Sequence, residues 1–385
     1  MRHVRSALLV GSVFALAACA NDSQELVTPQ EVKAPLLSAS GKKIQGDYIV
    51  VLNDGVDPEN LVRGKGLRAK HVYQAAINGL AVSLTEDQLE AVRRDPNVKY
   101  VEEDQEMEVG ATQSNATWGI DRIDQRNRPL SGTYNYTSTG SGVYAYVIDT
   151  GIYTSHSNFG GRASNVYDAF GGNGQDCNGH GTHVAGTVGS STYGVAKSVQ
   201  LRGVRVLNCS GSGSTSGIIA AVDWVRVNRV NPAVANMSLG GGYSSTLNTA
   251  INNLANSGVF VAVAAGNENQ NACNVSPASA ANAYTVAAST STDARASYSN
   301  YGSCVNIYAP GSSITSTWHN GGTNSISGTS MASPHVAGVA ALYKATYGNA
   351  STSTISSWLT SNSTANVITG NPSGTPNRLL FKSTL

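Results

Sequence analysis

The sequence predicts an α/β fold, in which a doubly wound parallel sheet is flanked by helices and preceded by a small α+β domain. Two observations lead to this prediction. After residue 110, short apolar segments typical of buried strands alternate with longer stretches of helical periodicity, and strands separated by such helices pair in parallel. Before residue 110, strand and helix signals occur in a segment too short to bury a large core.

The strands of the larger domain are predicted from apolar runs bounded by turn residues. They are Val143–Asp149, Gln200–Val206, Ala235–Leu239 and Val259–Ala264. The helices are predicted at Gly181–Gly189, Ser216–Val227, Thr246–Ser257 and Thr329–Tyr347. Sheets of this kind bind ligands at the carboxyl ends of their strands, so catalytic residues are expected there.

The smaller domain is predicted from two strands, Asp47–Leu52 and Asn78–Leu84, and a helix over Thr85–Arg94 that opens with a capping box of Thr85 and Gln88. Charge separates the two domains. Residues 20–110 carry a net charge of −6, whereas residues 111–385 carry +5. Opposite charge suggests that the small domain binds the rest of the same chain; an incidental acidic surface is the alternative.

The first residues have the pattern of an export signal. Within Met1–Ala20, arginines precede the apolar run Ala7–Ala18, which is shorter than the roughly 20 residues that a membrane-spanning helix needs. Leu16–Cys19 also resembles a bacterial lipobox, in which Cys19 would be lipidated; ordinary cleavage near Ala20 is the alternative. Only 13% of residues are charged and 41 are glycines, typical of a compact, loop-rich extracellular protein. We therefore expect a secreted protein.

Beyond Cys19, four cysteines remain, an even number that favours disulfides in an exported chain. Three pairings are possible. We favour Cys177 with Cys209 and Cys273 with Cys304, because each pair closes a loop of about 30 residues and would stabilise the fold by about 3 to 4 kcal/mol. A free catalytic thiol is the competing interpretation.

Three motifs supply the parts of a nucleophilic mechanism. Asp149 ends an apolar strand, His180 lies within the glycine-rich Asn178–Gly186, and Ser330 lies within Ser327–His335 at the start of a long helix. A serine hydroxyl is a poor nucleophile near neutral pH. It needs an imidazole base, and the imidazole needs a carboxylate that fixes its tautomer. Asp149, His180 and Ser330 are therefore predicted to form a catalytic triad.

These motifs, in the order Asp, His, Ser, resemble those of the subtilisin-like serine peptidases. Trp118–Arg126 and Asp176–His180 resemble the proteinase K and aqualysin branch, and the resemblance covers residues 111–385. It implies a subtilisin-like fold, serine endopeptidase activity and the two aqualysin-type bridges, which agree with the favoured pairing. Residues 45–108 resemble the inhibitor-type propeptide of this family, which implies that the small domain acts as a chaperone and inhibitor.

The resemblance also implies further site residues. Asn267 would supply a side-chain amide to an oxyanion hole, together with the backbone N–H of Ser330. The glycine-rich segment Ser238, Leu239, Gly240 and Gly241 would pair with the substrate backbone, and Ala264, Ala265 and Gly266 would form the other wall of the primary pocket. Neither segment is charged, so we predict apolar or aromatic residues before the scissile bond. Glu268 lies close enough to alter this preference.

Relatives in this family bind structural calcium, and Asp121, Asp124 and Gln125 resemble one such site, with the oxygen ligands that calcium prefers. Surface polar groups are the alternative interpretation. A second calcium site of the family has an acidic residue at the position where this chain has Asn306, and the loss of that charge argues against a second site here. His183 and His335 are expected to have structural roles. A zinc site at His180 and His183 does not fit the sequence, because no Glu follows His180 to give the helix pattern of the zinc proteases.

The sequence thus predicts an exported zymogen: a signal over residues 1–20, a propeptide over 21–110 and a catalytic domain over 111–385 that cleaves its own junction. Its expected partners are protein and peptide substrates and its own propeptide; we expect a monomer that binds no nucleic acid. A serine esterase would show Gly-x-Ser-x-Gly before its acid and histidine. An inactive binding protein with the same cleft is a second alternative, which nothing at the predicted triad or Asn267 supports.

Overall fold

The computed structural model describes residues 33–39, 43–105 and 110–385. The chain divides into a small compact unit, formed mainly by Gln45–Asp104, and a large unit that extends from Gln105 to Leu385. The predicted export signal and Cys19 lie outside the described residues. Within the described part, no helix is long and apolar enough to cross a membrane.

The small unit is an α+β domain with one five-stranded sheet. Its elements are β1 (Leu36–Leu37), β2 (Lys43–Leu52), α1 (Pro58–Lys65), β3 (Ala69–Tyr73), β4 (Gly79–Ser83), α2 (Glu86–Arg93) and β5 (Val98–Gln105). The strand order is β1-β5-β2-β4-β3. The predicted capping box of α2 is present, because Thr85 Oγ1 accepts from Gln88 N at 3.3 Å and Gln88 Oε1 accepts from Thr85 N at 3.0 Å.

The large unit contains fifteen strands and six helices among the described residues. The strands are β6 (Ala111–Ser114), β7 (Thr133–Tyr136), β8 (Tyr144–Asp149), β9 (Ala163–Asp168), β10 (Gln200–Arg205), β11 (Ala233–Met237), β12 (Gly241–Gly242), β13 (Phe260–Ala264), β14 (Val275–Ser276), β15 (Tyr284–Ser289), β16 (Ile307–Pro310), β17 (Ile314–Thr317), β18 (Thr323–Ile326), β19 (Thr364–Ala365) and β20 (Arg378–Leu379). The helices are α3 (Trp118–Ile123), α4 (His180–Gly189), α5 (Thr215–Asn228), α6 (Ser245–Asn256), α7 (Thr329–Tyr347) and α8 (Thr352–Asn362).

Nine of these strands form the central sheet, in the order β19-β20-β16-β15-β13-β11-β8-β10-β9. All neighbours pair in parallel except β19 and β20. The chain runs from β8 to the β9 edge, returns through β10 and then crosses to β11 on the other side of β8. The order therefore reverses at β8, and in doubly wound sheets such a switch point is where ligands bind.

Apolar side chains cover both faces of this sheet. On one face, Val147 of β8 packs in a core with Val184 of α4 and Val336 of α7. On the other face, Ile148 packs in a second core with α5 and α6. Alternate residues of one strand thus pack against helices on opposite faces of the sheet. The predicted doubly wound α/β class is confirmed.

The predicted elements differ from the observed ones mainly at their ends. The four predicted helices of the large unit are present, and α7 has the predicted bounds. The predicted strand Ala235–Leu239 is shifted: β11 covers Ala233–Met237, so Ser238 and Leu239 follow the strand. Strands β9, β15 and β16 had no counterpart among the predicted elements.

Both favoured disulfides form in the structure. Cys177 bonds Cys209 across a sequence separation of 32, and Cys273 bonds Cys304 across 31. Loops of this length lose enough unfolded-state entropy on closure for each bond to stabilise the fold by about 4 kcal/mol. The Cys177–Cys209 bond ties the segment before α4 to the loop after β10.

Candidate active site

A carboxylate and an imidazole meet at the switch point of the sheet. Asp149 is the last residue of β8 and is fully buried. Its Oδ1 atom lies 2.7 Å from His180 Nδ1 and accepts from Thr150 N at 2.8 Å. Among the described residues, the buried Asp149 Oδ2 atom has no hydrogen-bond partner. The carboxylate is therefore directed at the imidazole, which it can hold in the tautomer with its proton on Nδ1.

His180 is placed by the start of α4, of which it is the first residue. Gly179 precedes it with φ 110°, a conformation that L side chains rarely adopt. A Cβ atom at Gly179 would lie 2.4 Å from the Trp318 ring, so only glycine fits. The glycine before the histidine is thus required by the turn and by the β17–β18 hairpin, whose Trp318 packs against it.

The pKa of His180 reflects opposing effects. Burial alone would lower it, but the charge and hydrogen bond of Asp149 and the charge of Asp176 outweigh burial and raise it above 6.5. A raised pKa means that the imidazolium is stabilised, as a general base requires once it has taken a proton.

Ser330 is the second residue of α7, at the amino end of a buried helix. Its Oγ atom donates to the backbone oxygen of Ser238 at 3.1 Å. Ser238 lines the same cavity as His180, so the hydroxyl contacts a residue of the cavity that the imidazole also lines. Among the described residues, the bond from Ser330 Oγ goes to Ser238, and none joins it to His180.

The side-chain amide of Asn267 has one defined orientation. Its Oδ1 atom accepts from Thr329 N at 2.8 Å and from Thr329 Oγ1 at 2.9 Å, so the other end of this exposed side chain is the Nδ2 donor. A Cβ atom built on Gly328 would lie 3.7 Å from Asn267 Nδ2 and 3.6 Å from Ser330 N. Two N–H donors therefore lie beside one small volume, an arrangement suited to an oxyanion.

A cavity of about 400 Å³ lies beside His180 and Ser238. Its walls contain His180, the segment Ser238, Leu239 and Gly240, and the apolar side chains of Leu207 and Ile218. An extended peptide that lies along this segment would place side chains in the cavity. Among the described residues that line it, His180 is the one with a titratable side chain.

The other residues predicted to contact substrate are placed differently from one another. Gly241 pairs with Ser276 across β12 and β14, so it belongs to a small sheet of its own. Ala264 ends β13. Ala265 is fully buried in an apolar cluster, so only its backbone can form part of a pocket wall. Gly266 N donates to Thr329 Oγ1 at 3.1 Å, which fixes the wall to the start of α7.

His183 and His335 are buried, as expected of structural residues. His183 Nε2 bonds the backbone oxygen of Ile314 at 2.9 Å, and His335 Nδ1 bonds that of Met331 at 2.9 Å. Burial lowers the pKa of each to about 4. Both rings are therefore neutral near pH 7 and bind neighbouring backbone.

The three predicted calcium ligands lie together at the end of α3. Gly132 N donates to Asp121 Oδ2 at 2.7 Å, and Ser131 N donates to both Asp121 Oδ1 at 3.2 Å and Gln125 Oε1 at 3.1 Å. Burial raises the pKa of Asp124, and the charge of Asp121 adds to the rise. In the described ranges, no group of three or more His, Cys, Asp or Glu side chains could hold a metal ion. A calcium ion would thus depend on amide and backbone oxygens in addition to the two carboxylates.

Fold and site together define a serine hydrolase of the doubly wound α/β class. The Subtilase family model matches residues 140–379, and the Peptidase inhibitor I9 model matches residues 59–110. The chain belongs to the subtilase family and is a serine endopeptidase with an inhibitor-type propeptide. The resemblance to the proteinase K and aqualysin branch is confirmed.

Individual relatives match both units. An extracellular serine proteinase of Thermus sp. (strain Rt41A) is 50% identical over 97% of this chain and 98% of that protein. Proteinase R of Parengyodontium album is 45% identical over 93% of this chain and 94% of its own length. A solved structure of a cold adapted subtilisin-like serine proteinase has a TM-score of 0.70 and 53% identity, and covers 71% of this chain and 100% of that chain.

Proposed function

We propose that the chain is exported as an inactive precursor, cleaves itself near Gly110 and releases a broad-specificity endopeptidase. The single observation that carries the catalytic part is the 2.7 Å contact between Asp149 and His180 at the end of β8. The domain bounds are residues 1–20 for the signal, 21–110 for the propeptide and 111–385 for the enzyme. The inhibitor match over residues 59–110 supports the middle segment as inhibitor.

In the proposed mechanism, Ser330 Oγ attacks the scissile carbonyl while His180 Nε2 takes its proton. Asp149 stabilises the imidazolium, which then protonates the leaving amine. The developing oxyanion accepts from Asn267 Nδ2 and Ser330 N. Water repeats the sequence on the acyl-enzyme, with His180 again as the base, and releases the second product.

Export is supported by the signal pattern and by the extracellular relative. If Cys19 is lipidated, cleavage near Gly110 leaves the lipid on the propeptide and frees the enzyme from the membrane. The charge difference between residues 20–110 and 111–385 favours the propeptide as an intramolecular inhibitor. The mature enzyme then acts as a monomer on protein and peptide substrates, without nucleic acid.

We propose that the primary pocket prefers apolar or aromatic residues, because Ala264, Ala265 and Gly266 bring no charge to its wall. Glu268 is exposed nearby, where its Oε2 atom accepts from Asn300 Nδ2 at 2.7 Å. Peptides that differ only in the residue before the scissile bond test this preference. The kcat/KM for Phe or Leu should exceed that for Asp by about 100-fold. Equal values for all residues would contradict an apolar pocket, and a Lys optimum would assign the preference to Glu268.

We propose that Asp121, Asp124 and Gln125 hold one structural calcium ion. The two neighbouring carboxylates supply hard oxygen ligands, and a cation would relieve their repulsion. In differential scanning calorimetry of the processed protein, calcium at 100 times Kd should stabilise the fold by about 2.7 kcal/mol. Asp124→Asn should lose this calcium dependence, while the exposed Asp223→Asn control keeps it. A full calcium response in the Asp124 variant would exclude this site.

A further inference from the structure

A second buried carboxylate lies at the start of the helix that carries His180. Asp176 is 6% exposed and comes four residues before the histidine, in the loop that leads into α4. It contacts no substrate position in the proposed mechanism, and its position next to a reacting group suggests a further role.

The Asp176 carboxylate accepts hydrogen bonds on both oxygens. Oδ1 accepts from Thr150 Oγ1, Asn178 N and Gly179 N, each at 2.9 Å. Oδ2 accepts from Thr182 N at 2.9 Å and from Thr182 Oγ1 at 2.5 Å. Five donors offset the loss of water around a buried charge.

These bonds replace a missing helix cap. The N-cap residue of α4 is Gly179, which has no side chain to satisfy the first turn. Asp176 instead accepts from Thr182 N, the third helical N–H. Thr150 Oγ1, which donates to Asp176, accepts from Gly181 N at 2.8 Å, and Asn178 Oδ1 accepts from His180 N at 3.2 Å. The first three N–H groups of the helix are therefore held by one connected network.

The same network joins both members of the Asp149–His180 pair. Thr150 binds the Asp149 carboxylate through its backbone N–H and the Asp176 carboxylate through its hydroxyl. Asp176 thus links the end of β8 to the start of α4, the two points whose separation sets the 2.7 Å contact between Asp149 and His180. Negative charge at a helix amino terminus also interacts favourably with the helix dipole.

We propose that Asp176 is a positioning residue for His180: its carboxylate fixes the first turn of α4 against β8 and adds a second negative charge that stabilises the imidazolium. The inference rests on the proposed function, because it gives His180 the role of general base. The charge of Asp176 raises the pKa of His180 together with Asp149, against the lowering caused by burial.

The charged and titratable groups around His180 are few. Asp149 faces it from β8 and Asp176 from the preceding loop. His183 lies one turn along α4 and is neutral near pH 7, because burial lowers its pKa to about 4. His319 belongs to the hairpin packed on Gly179. In the part of the chain that the structure describes, Asp149 and Asp176 are the carboxylates whose charge acts on His180, so removal of one should change the titration of His180.

Titration of the His180 ring tests the proposal without any need for activity. We would label the full chain with ¹⁵N-histidine in Ser330→Ala, alone and combined with Asp176→Asn or Asp168→Asn. Asp168 is the matched control, because it accepts from Phe170 N, Gly174 N and the Arg205 guanidinium in a neighbouring loop. The His180 midpoint should fall by about one pH unit in Asp176→Asn and stay unchanged in Asp168→Asn.

An unchanged His180 midpoint in folded Asp176→Asn would overturn the proposal. If that variant does not fold, Asp176→Glu serves instead. It should restore both folding and the His180 midpoint of the parent, because it restores the charge; failure to restore either would also overturn the proposal. Normal processing of Ser330→Ala would contradict the proposed self-cleavage but would leave this titration readable, so the two failures are distinct.

Kinetics separate positioning from charge. His180 must be neutral to act as a base, so activity is lost as pH falls through its pKa. In processed Asp176→Asn, the acidic limb of kcat/KM should move to lower pH by about one unit, and kcat near the optimum should fall by about tenfold with KM little changed. Thr182→Val keeps the charge, so it should lower kcat several-fold and leave the limb in place. If the acidic limb of Asp176→Asn stays at the same pH as that of Thr182→Val and of wild type, Asp176 has only a structural role.

Discussion

Ser330→Ala is expected to lower kcat for peptide substrates by about 10⁶-fold, the order seen when the nucleophile is removed from subtilisin, a member of the same family. Alanine leaves the start of α7 and the two oxyanion donors in place but removes the attacking oxygen. Residual hydrolysis would come from the oxyanion hole and substrate binding alone. Steady-state assays of protein processed in trans by wild type measure the loss.

The same variant should accumulate at full precursor size, because no enzyme is formed to cut near Gly110. Gel mobility and mass spectrometry of expressed protein detect this. Ser333→Ala is the matched control: Ser333 lies one turn further along α7 and donates to Asn236 Oδ1 at 2.7 Å. It should process normally, with a stability loss of about 1 kcal/mol. Normal processing of Ser330→Ala would exclude self-cleavage.

Asn267→Asp is expected to lower kcat by about 100- to 1,000-fold with little change in KM. Replacement of the corresponding asparagine in subtilisin lowers kcat by this factor. Aspartate has nearly the same shape and keeps the acceptor for Thr329, but it has no N–H for the oxyanion. The loss therefore belongs to the transition state rather than to substrate binding.

Two further variants make this result specific. Asn267→Ala should lose a similar factor, which would show that the added charge of aspartate is not the cause. Asn282→Ala removes an exposed side chain whose Nδ2 atom donates to Asn256 Oδ1 at 2.9 Å, and it should keep wild-type kcat. Wild-type kcat in either Asn267 variant would assign the oxyanion to other donors.

The sequence predicted best those features that follow from strong local patterns. The apolar run that ends at Asp149 corresponds to β8, and the capping box at Thr85 marks the start of α2. The bounds of α7 were predicted correctly because most residues from Thr329 to Tyr347 are small or apolar and suit a buried helix, which continues through Pro334. Resemblance then connected motifs that are far apart in the chain.

Features that depend on packing could not be predicted in this way. Strand β9 is half-buried at every position, so it lacks the alternation that reveals a strand. Ala265 lies in a matched motif, yet its side chain is buried away from the cleft. The network around Asp176 joins β8 to α4 through Thr150, and no local spacing indicates a hydrogen bond between residues 26 positions apart.

We propose Ser330, activated by His180, as the nucleophile. A fluorophosphonate reacts covalently with an activated serine, and peptide mapping by mass spectrometry locates the adduct on the processed protein. We expect one adduct, on Ser330, that is absent after His180→Ala. An adduct on another residue, or undiminished hydrolysis of casein by a protein that carries no adduct on Ser330, would contradict the assignment of Ser330 as nucleophile.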